Sequence, residues 1–200
     1  MSRLIVSSVE TQHIKFDSDT SAMTISSAGA VTMPSTPDIN GYKFSQSSVT
    51  TLPGATAAID FTVPTGVTQV RVVFVNVSQE STAELSFRLS TNGSFLTSGY
   101  VGGSAYINGN NPGVSNATGY FMMAYGYNNA GNVFNGYADF CCTTLNEWIM
   151  VNQNNSGAYP NGSNLSTGKC SLGSNNTLDG IRIMAVSGNL DSGVVKCYFR

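Results

Sequence analysis

Charge is the scarcest resource in this 200-residue chain: Asp, Glu, Lys and Arg together make up 10% of it, with a formal net charge of -2. The nine basic residues are spread singly from Arg3 to Arg200. A protein that binds duplex nucleic acid needs clustered Lys and Arg to displace phosphate counterions, so nucleic acid is excluded as an expected partner. Disorder of the usual kind is also disfavoured, because it pairs low hydrophobicity with high net charge, whereas 41% of this chain is hydrophobic.

Histidine and tryptophan occur once each, as His13 and Trp148. With its only histidine near the N-terminus, the main part of the chain has no Ser-His-Asp or Cys-His set for nucleophilic catalysis. Apolar runs near the 20 residues that span a bilayer are absent, and MSRLIVSSVE has no signal-peptide core. The expectation is a soluble chain made in the cytoplasm, with no membrane insertion. Four cysteines, Cys141, Cys142, Cys170 and Cys197, have neither the density of a secreted disulfide framework nor the close repeated spacing of a zinc site. They read as buried thiols, and no metal or cofactor is expected. Asp17-Ser18-Asp19 lacks the further oxygen donors of a calcium loop and reads as a turn.

What the chain has in quantity is Gly, Ser, Thr and Asn, set between short runs of β-branched and aromatic residues. In VTQVRVVFVNV, Val67 to Val77, both faces are apolar toward the end, which predicts a central strand. In AELSFRLS, Leu85, Phe87 and Leu89 alternate with Ser86, Arg88 and Ser90, the pattern of a half-buried antiparallel strand. Further strands are predicted over 99–107, 118–127, 135–143, 147–152, 179–186 and 193–199, separated by turn clusters such as STNGS, NGNNPG and YNNAGN. No long window has a helical apolar period, and no repeat of fixed length appears. The expected fold is all-β, an antiparallel, jelly-roll-like β-sandwich with an extended N-terminal arm of short strands.

The arm is assigned to residues 1–37, with brief strands at 13–16 and 22–25 and another after Gly29. A connector covers 38–58 and the sandwich 59–200. Two or three short strands are marginal in water, so the arm is expected to pair with another chain, with Ile5, Val6, Ile14, Phe16, Met23 and Ile25 as its attachment residues. In the sandwich, Tyr residues among Gly, Ser and Asn suit sugar stacking or an adaptable contact surface. Tyr100, Tyr106, Tyr127 and Tyr159 are the candidate receptor-contacting residues. Asp139 and Glu147 are the closest carboxylate pair flanking the only tryptophan, Trp148, and could face each other across a hairpin as glycan cleavage requires; solvated hairpin charges are the favoured reading.

Two stretches carry a resemblance. TSAMTISSAGAVTMP, Thr20 to Pro34, is similar to a short Ala-x-Thr-Ile-x-x-x-Gly-x-Val-Thr element that precedes the distal domain in certain fibres. Ala58 to Gly102, opening with Ile-Asp-Phe-Thr and a Pro-x-Gly-Val turn before an apolar strand, is similar to a domain of the same proteins. The chain therefore resembles the tail-fibre and head-fibre type virion proteins of tailed bacteriophages, particularly those of marine bacteria and cyanobacteria. The resemblance implies a virion location, a homotrimer, contacts with tail or capsid proteins, and a role in attachment to a host-surface glycan or protein. Because coiled-coil heptads and a β-helix shaft are missing, a compact spike, fibre tip or head-mounted fibre is expected over a long fibre. A capsid decoration protein that braces the shell is the alternative, and a glycan depolymerase using Asp139 and Glu147 the third reading.

Overall fold

The computed structural model describes residues 12–15, 21–25, 31–32, 45–52, 54–108, 111–124, 130, 132–144, 146–156, 162–174 and 176–200. The chain divides into two compact units, Met1–Lys43 and Phe44–Arg200. All strand pairings are antiparallel and no helix occurs among the described residues.

The first unit holds β1 (Gln12–Lys15), β2 (Ser21–Ile25) and β3 (Val31–Thr32), ordered β1-β2-β3. The predicted strands of the arm exist within a residue of their expected places, and they hydrogen-bond to one another.

The second unit is a sandwich of unequal sheets. Its strands are β4 (Ser45–Thr51), β5 (Ala58–Thr62), β6 (Gln69–Gln79), β7 (Leu85–Thr91), β8 (Ser94–Phe95), β9 (Tyr100–Asn108) and β10 (Asn111–Ala117), followed by β11 (Phe121–Ala124), β12 (Phe134–Thr144), β13 (Glu147–Ser156), β14 (Gly162–Ser171), β15 (Gly180–Ala185) and β16 (Leu190–Phe199). Eight form one sheet, ordered β10-β9-β14-β13-β12-β6-β16-β4. The other sheet runs β11-β7-β15-β5, with β8 folded back on β7.

Three expectations need correction. The connector assigned to 38–58 contains β4, which pairs along β16, and the sandwich starts at Phe44. SQSSVTT is too polar to announce a strand, but an edge strand with only one neighbour needs few apolar positions. The turn cluster NGNNPG runs into β10, where Pro112 is tolerated because β10 is an edge. Finally, β7 is buried on both faces, Ser86 and Ser90 included.

The β7–β8 hairpin follows local chemistry closely. Thr91 pairs with Ser94, and the two residues between them, Asn92 and Gly93, both have positive φ, 52° and 72°. That is the type I′ geometry whose twist matches the flanking strands, and Asn-Gly adopts it most readily.

Val70, Val72 and Phe74 on β6 turn inward against Leu85, Phe87 and Leu89 on β7 and Ile181 and Ile183 on β15. Phe140, fully buried, sits at the centre: its ring meets Phe87 edge-on at 5.3 Å and lies 5.9 Å from Phe121. Removing that ring leaves a cavity bounded by two other rings. Phe140→Ala is expected to destabilise the sandwich by about 3–5 kcal/mol, while exposed Val101→Ala stays within about 0.5 kcal/mol. Urea unfolding of the two variants at one pH tests this contrast.

Candidate functional site

Pairing register determines which side chains reach solvent. On the outer face of the eight-stranded sheet one row of paired positions crosses every strand, from Val114 on β10 through Leu165 on β14 and Tyr137 on β12 to Val49 on β4. A Cβ at Gly136 would lie 2.2 Å from the Gln153 carbonyl oxygen and 2.7 Å from Asn154 Cα, so only glycine fits at that approach.

A shallow groove of about 730 Å³ lies on this half of the sheet, lined among others by Ala105, Val114, Gln153, Ser163 and Leu165. A smaller one, about 390 Å³, shares Gln153 and Ser163 and continues past Asn135, Tyr137 and Asn155. No residue lining either groove is charged. A surface of this chemistry favours neutral polar or weakly apolar groups, and it has no carboxylate or amine to orient an ionic one.

Tyr137 is the aromatic side chain of these grooves that faces outward. It is paired with Gln153, and its hydroxyl donates to Gln153 Oε1 at 3.4 Å. The Arg71 guanidinium lies 5.0 Å from the ring centroid. Arg71 itself is clamped by the cross-strand Asp139, Nε and Nη2 each donating to a carboxylate oxygen at 2.6 Å. That hydrogen bonding holds the Arg71 pKa above its ordinary value, against a smaller opposing effect of burial.

The candidate receptor tyrosines distribute differently. Tyr100 is a core residue: its ring is buried, edge-on to Phe121 at 5.0 Å, and its hydroxyl accepts from the Leu89 amide at 2.9 Å while donating to the Leu96 carbonyl. It offers no surface to a receptor, which corrects the expectation. Tyr106 is partly buried against the core, and its ring covers Gly113, where a Cβ would fall 2.1 Å from Cζ. Its position has the same parity as the buried Ser104, yet it lines the larger groove together with Val114 and Leu165. Tyr127 and Tyr159 lie outside the described residues, as do Ile5, Val6, Phe16 and the Asp17-Ser18-Asp19 run. Ile14, Met23 and Ile25 fall on β1 and β2. The outward Tyr137 was missed as a site residue because its strand, FNGYADF, reads equally well in either register until its neighbours are known.

Asp139 and Glu147 do not form a catalytic pair. Asp139 is paired with Val151, four residues along β13 from Glu147, which puts the two carboxylates roughly 13 Å apart at strand spacing. A glycosidase pair stands within about 5–10 Å. Each also has a cation of its own: Arg71 for Asp139, and Lys169 for Glu147 at 3.3 Å. Trp148 between them is buried in the core.

A polar patch on the inner face was also missed. Ser104, Ser166 and Asn152 occupy one row across β9, β14 and β13, continuing into apolar Ala138, Val72 and Cys197 on β12, β6 and β16. Asn152, Asn154 and Ser166 all donate to the Met123 carbonyl of β11, at 2.7, 2.7 and 3.3 Å, and Asn164 donates to Asn154 Oδ1 at 3.1 Å. These asparagines sit at inward positions of strands, where composition alone suggests loop or surface.

No disulfide joins the cysteines. Cys141 and Cys142 point to opposite faces of β12, and burial raises both thiols above their usual range. Cys170 is fully buried beside Tyr100, and burial pushes its thiol up to about 11.

No protein-family model matches the chain, and neither a curated protein nor a solved structure matches it.

The Cys170 shift has a consequence for stability. Its pKa in the folded protein is raised from 9.0, so between pH 9 and about 11 the unfolded chain loses a proton that the folded chain keeps. Stability is therefore complete below pH 9 and declines through that window. Cys170→Ala is expected to make the decline shallower, which urea midpoints measured at pH 8, 9, 10 and 11 will register.

Proposed function

We propose that this chain is a non-enzymatic structural protein of a tailed-phage particle, a compact fibre or spike whose N-terminal unit attaches it and whose sandwich faces the host. The observation that carries the reading is the division into a small three-stranded unit, Met1–Lys43, and a sandwich, Phe44–Arg200. The two stretches that resemble phage fibres fall one in each unit, Thr20 to Pro34 in the first and Ala58 to Gly102 in the second.

The neutral grooves around Tyr137, Gln153, Asn135 and Asn155 suit a polar, uncharged protein surface better than an ionic ligand. The separated, ion-paired Asp139 and Glu147 weigh against glycan cleavage. In this reading the short strands of the first unit engage a neighbouring tail or capsid protein, and the assembly is a homotrimer, as the resemblance implies.

Labelled electron microscopy of purified particles with an antibody against the sandwich tests the proposal. Label at the tail is the expected result. Label over the head means a head fibre or capsid decoration protein instead, and absence from intact particles overturns the virion reading. As a separate check on chemistry, Asp139→Asn and Glu147→Gln are expected to leave host-polysaccharide turnover unchanged from the parent; a loss of sugar release in either variant would reinstate the hydrolase.

A further inference from the structure

Nine large apolar side chains are exposed among the described residues, and eight of them lie on the outer face of the eight-stranded sheet. Val114 is 80% exposed, Val101 64% and Leu165 57%, with Ile149, Val151 and Tyr137 beside them on the neighbouring strands. Val49 and Val75 extend the apolar positions to β4 and β6. Scattered apolar residues on a monomer surface need no explanation, but a contiguous set restricted to one face of one sheet does. The outer face of the other sheet presents instead the Arg182–Asp60 pair, two bonds of 2.7 Å, with Arg182 stacked over Phe95 at 4.0 Å.

We infer that this face of the sandwich is an interface between copies of this chain, so that self-association is built into the sandwich rather than confined to the N-terminal unit. Two properties favour a second copy as the occupant. The first is area: eight strands about 4.8 Å apart, overlapping over about seven residues of 3.3 Å each, make a face of roughly 800 Å². A stable interface buries about that much on each partner. The second is charge. Arg71 with Asp139 and Lys169 with Glu147 close their ion pairs within the face. Lys196, in the same outer row on β16, adds a further positive charge; two identical copies still meet with little of the like-charge repulsion that a strongly charged face imposes on itself, and nothing there selects a highly charged foreign partner. Gly103, in the outer row, keeps the surface low enough between Val101, Ile149 and Thr167 for a facing side chain to enter a groove of about 730 Å³.

The test is sedimentation equilibrium of the full-length chain at 1–50 µM (a range of roughly the usual working concentrations for contacts of this size), with and without Val151→Glu/Leu165→Glu. Both substitutions fall on exposed positions, so far-UV circular dichroism should remain that of the parent. The expected result is an assembly for the parent and for Val186→Glu, whose exposed side chain lies just past the end of β15, against a single-chain mass for the double variant and a dissociation constant raised about 100-fold or more. A single-chain mass for the parent overturns the inference, including the case in which the chain's own N-terminal unit covers this face. So does a folded double variant that still assembles like the parent. If the double variant fails to fold, Val151→Thr/Leu165→Ser, which removes apolar area without adding charge, is read by the same two outcomes. None of these results bears on whether the protein is found on particles, which the labelling experiment decides separately.

Discussion

The mismatch between the two sheets governs the rest of the sandwich. A five-stranded sheet cannot cover the inner face of an eight-stranded one, and the place where cover is short is visible in the side chains. Where β6, β12 and β16 lie beneath β7 and β15, the inner positions are Val, Phe, Ala and Cys. Toward β13, β14 and β9 they become Asn and Ser, and the strand above them is the short β11. An amide buried without a partner is costly, whereas one that donates to a carbonyl is tolerated. The Met123 carbonyl accepts three such donors, and β11 is thereby tied to the larger sheet at a defined register. Dispersion and ring contacts hold one half of the sandwich, and oriented amides hold the other.

The same mismatch shapes the outside. A wide sheet has a wide solvent face, and the strands that form it carry β-branched residues whose apolar surface is not all hidden on one side. Charge contributes little to holding it: the Arg71–Asp139 and Arg182–Asp60 pairs are well formed but exposed, and such pairs are worth about 0–1 kcal/mol each. Their effect lies in register and in keeping the surrounding surface neutral.

Legibility in the sequence followed the strength of the apolar pattern. Val70, Val72 and Phe74 announced a central strand, and β6 has neighbours on both sides. Leu85, Phe87 and Leu89 were inward as their alternation required. The Asn-Gly pair at 92–93 marked its hairpin through backbone chemistry alone. The failures share one cause. SQSSVTT in β4, NPGVSNA in β10 and GSNLSTGKCS in β14 are strands made of turn-forming residues, and the pairing that makes them strands is supplied by distant partners. Tyr100 failed as a contact residue for a related reason: an aromatic at a strand's start has equal claims on either face, and parity with Ser104, which no composition argument reveals, turned it inward.

The position of β16 has a consequence for how the molecule is made. It lies between β6 and β4, two strands from the beginning of the sandwich, and it closes the row that runs from β10 to the far edge. Until residues 190–199 have left the ribosome, β4 has no hydrogen-bonding neighbour in the sheet and one edge of β6 stays open. Early strands must therefore wait, unpaired, for a late one, and ring closure over more than a hundred residues is slow relative to hairpin formation. The charge-poor sequences of those waiting strands are then exposed to other chains emerging nearby, the condition under which open strand edges pair wrongly.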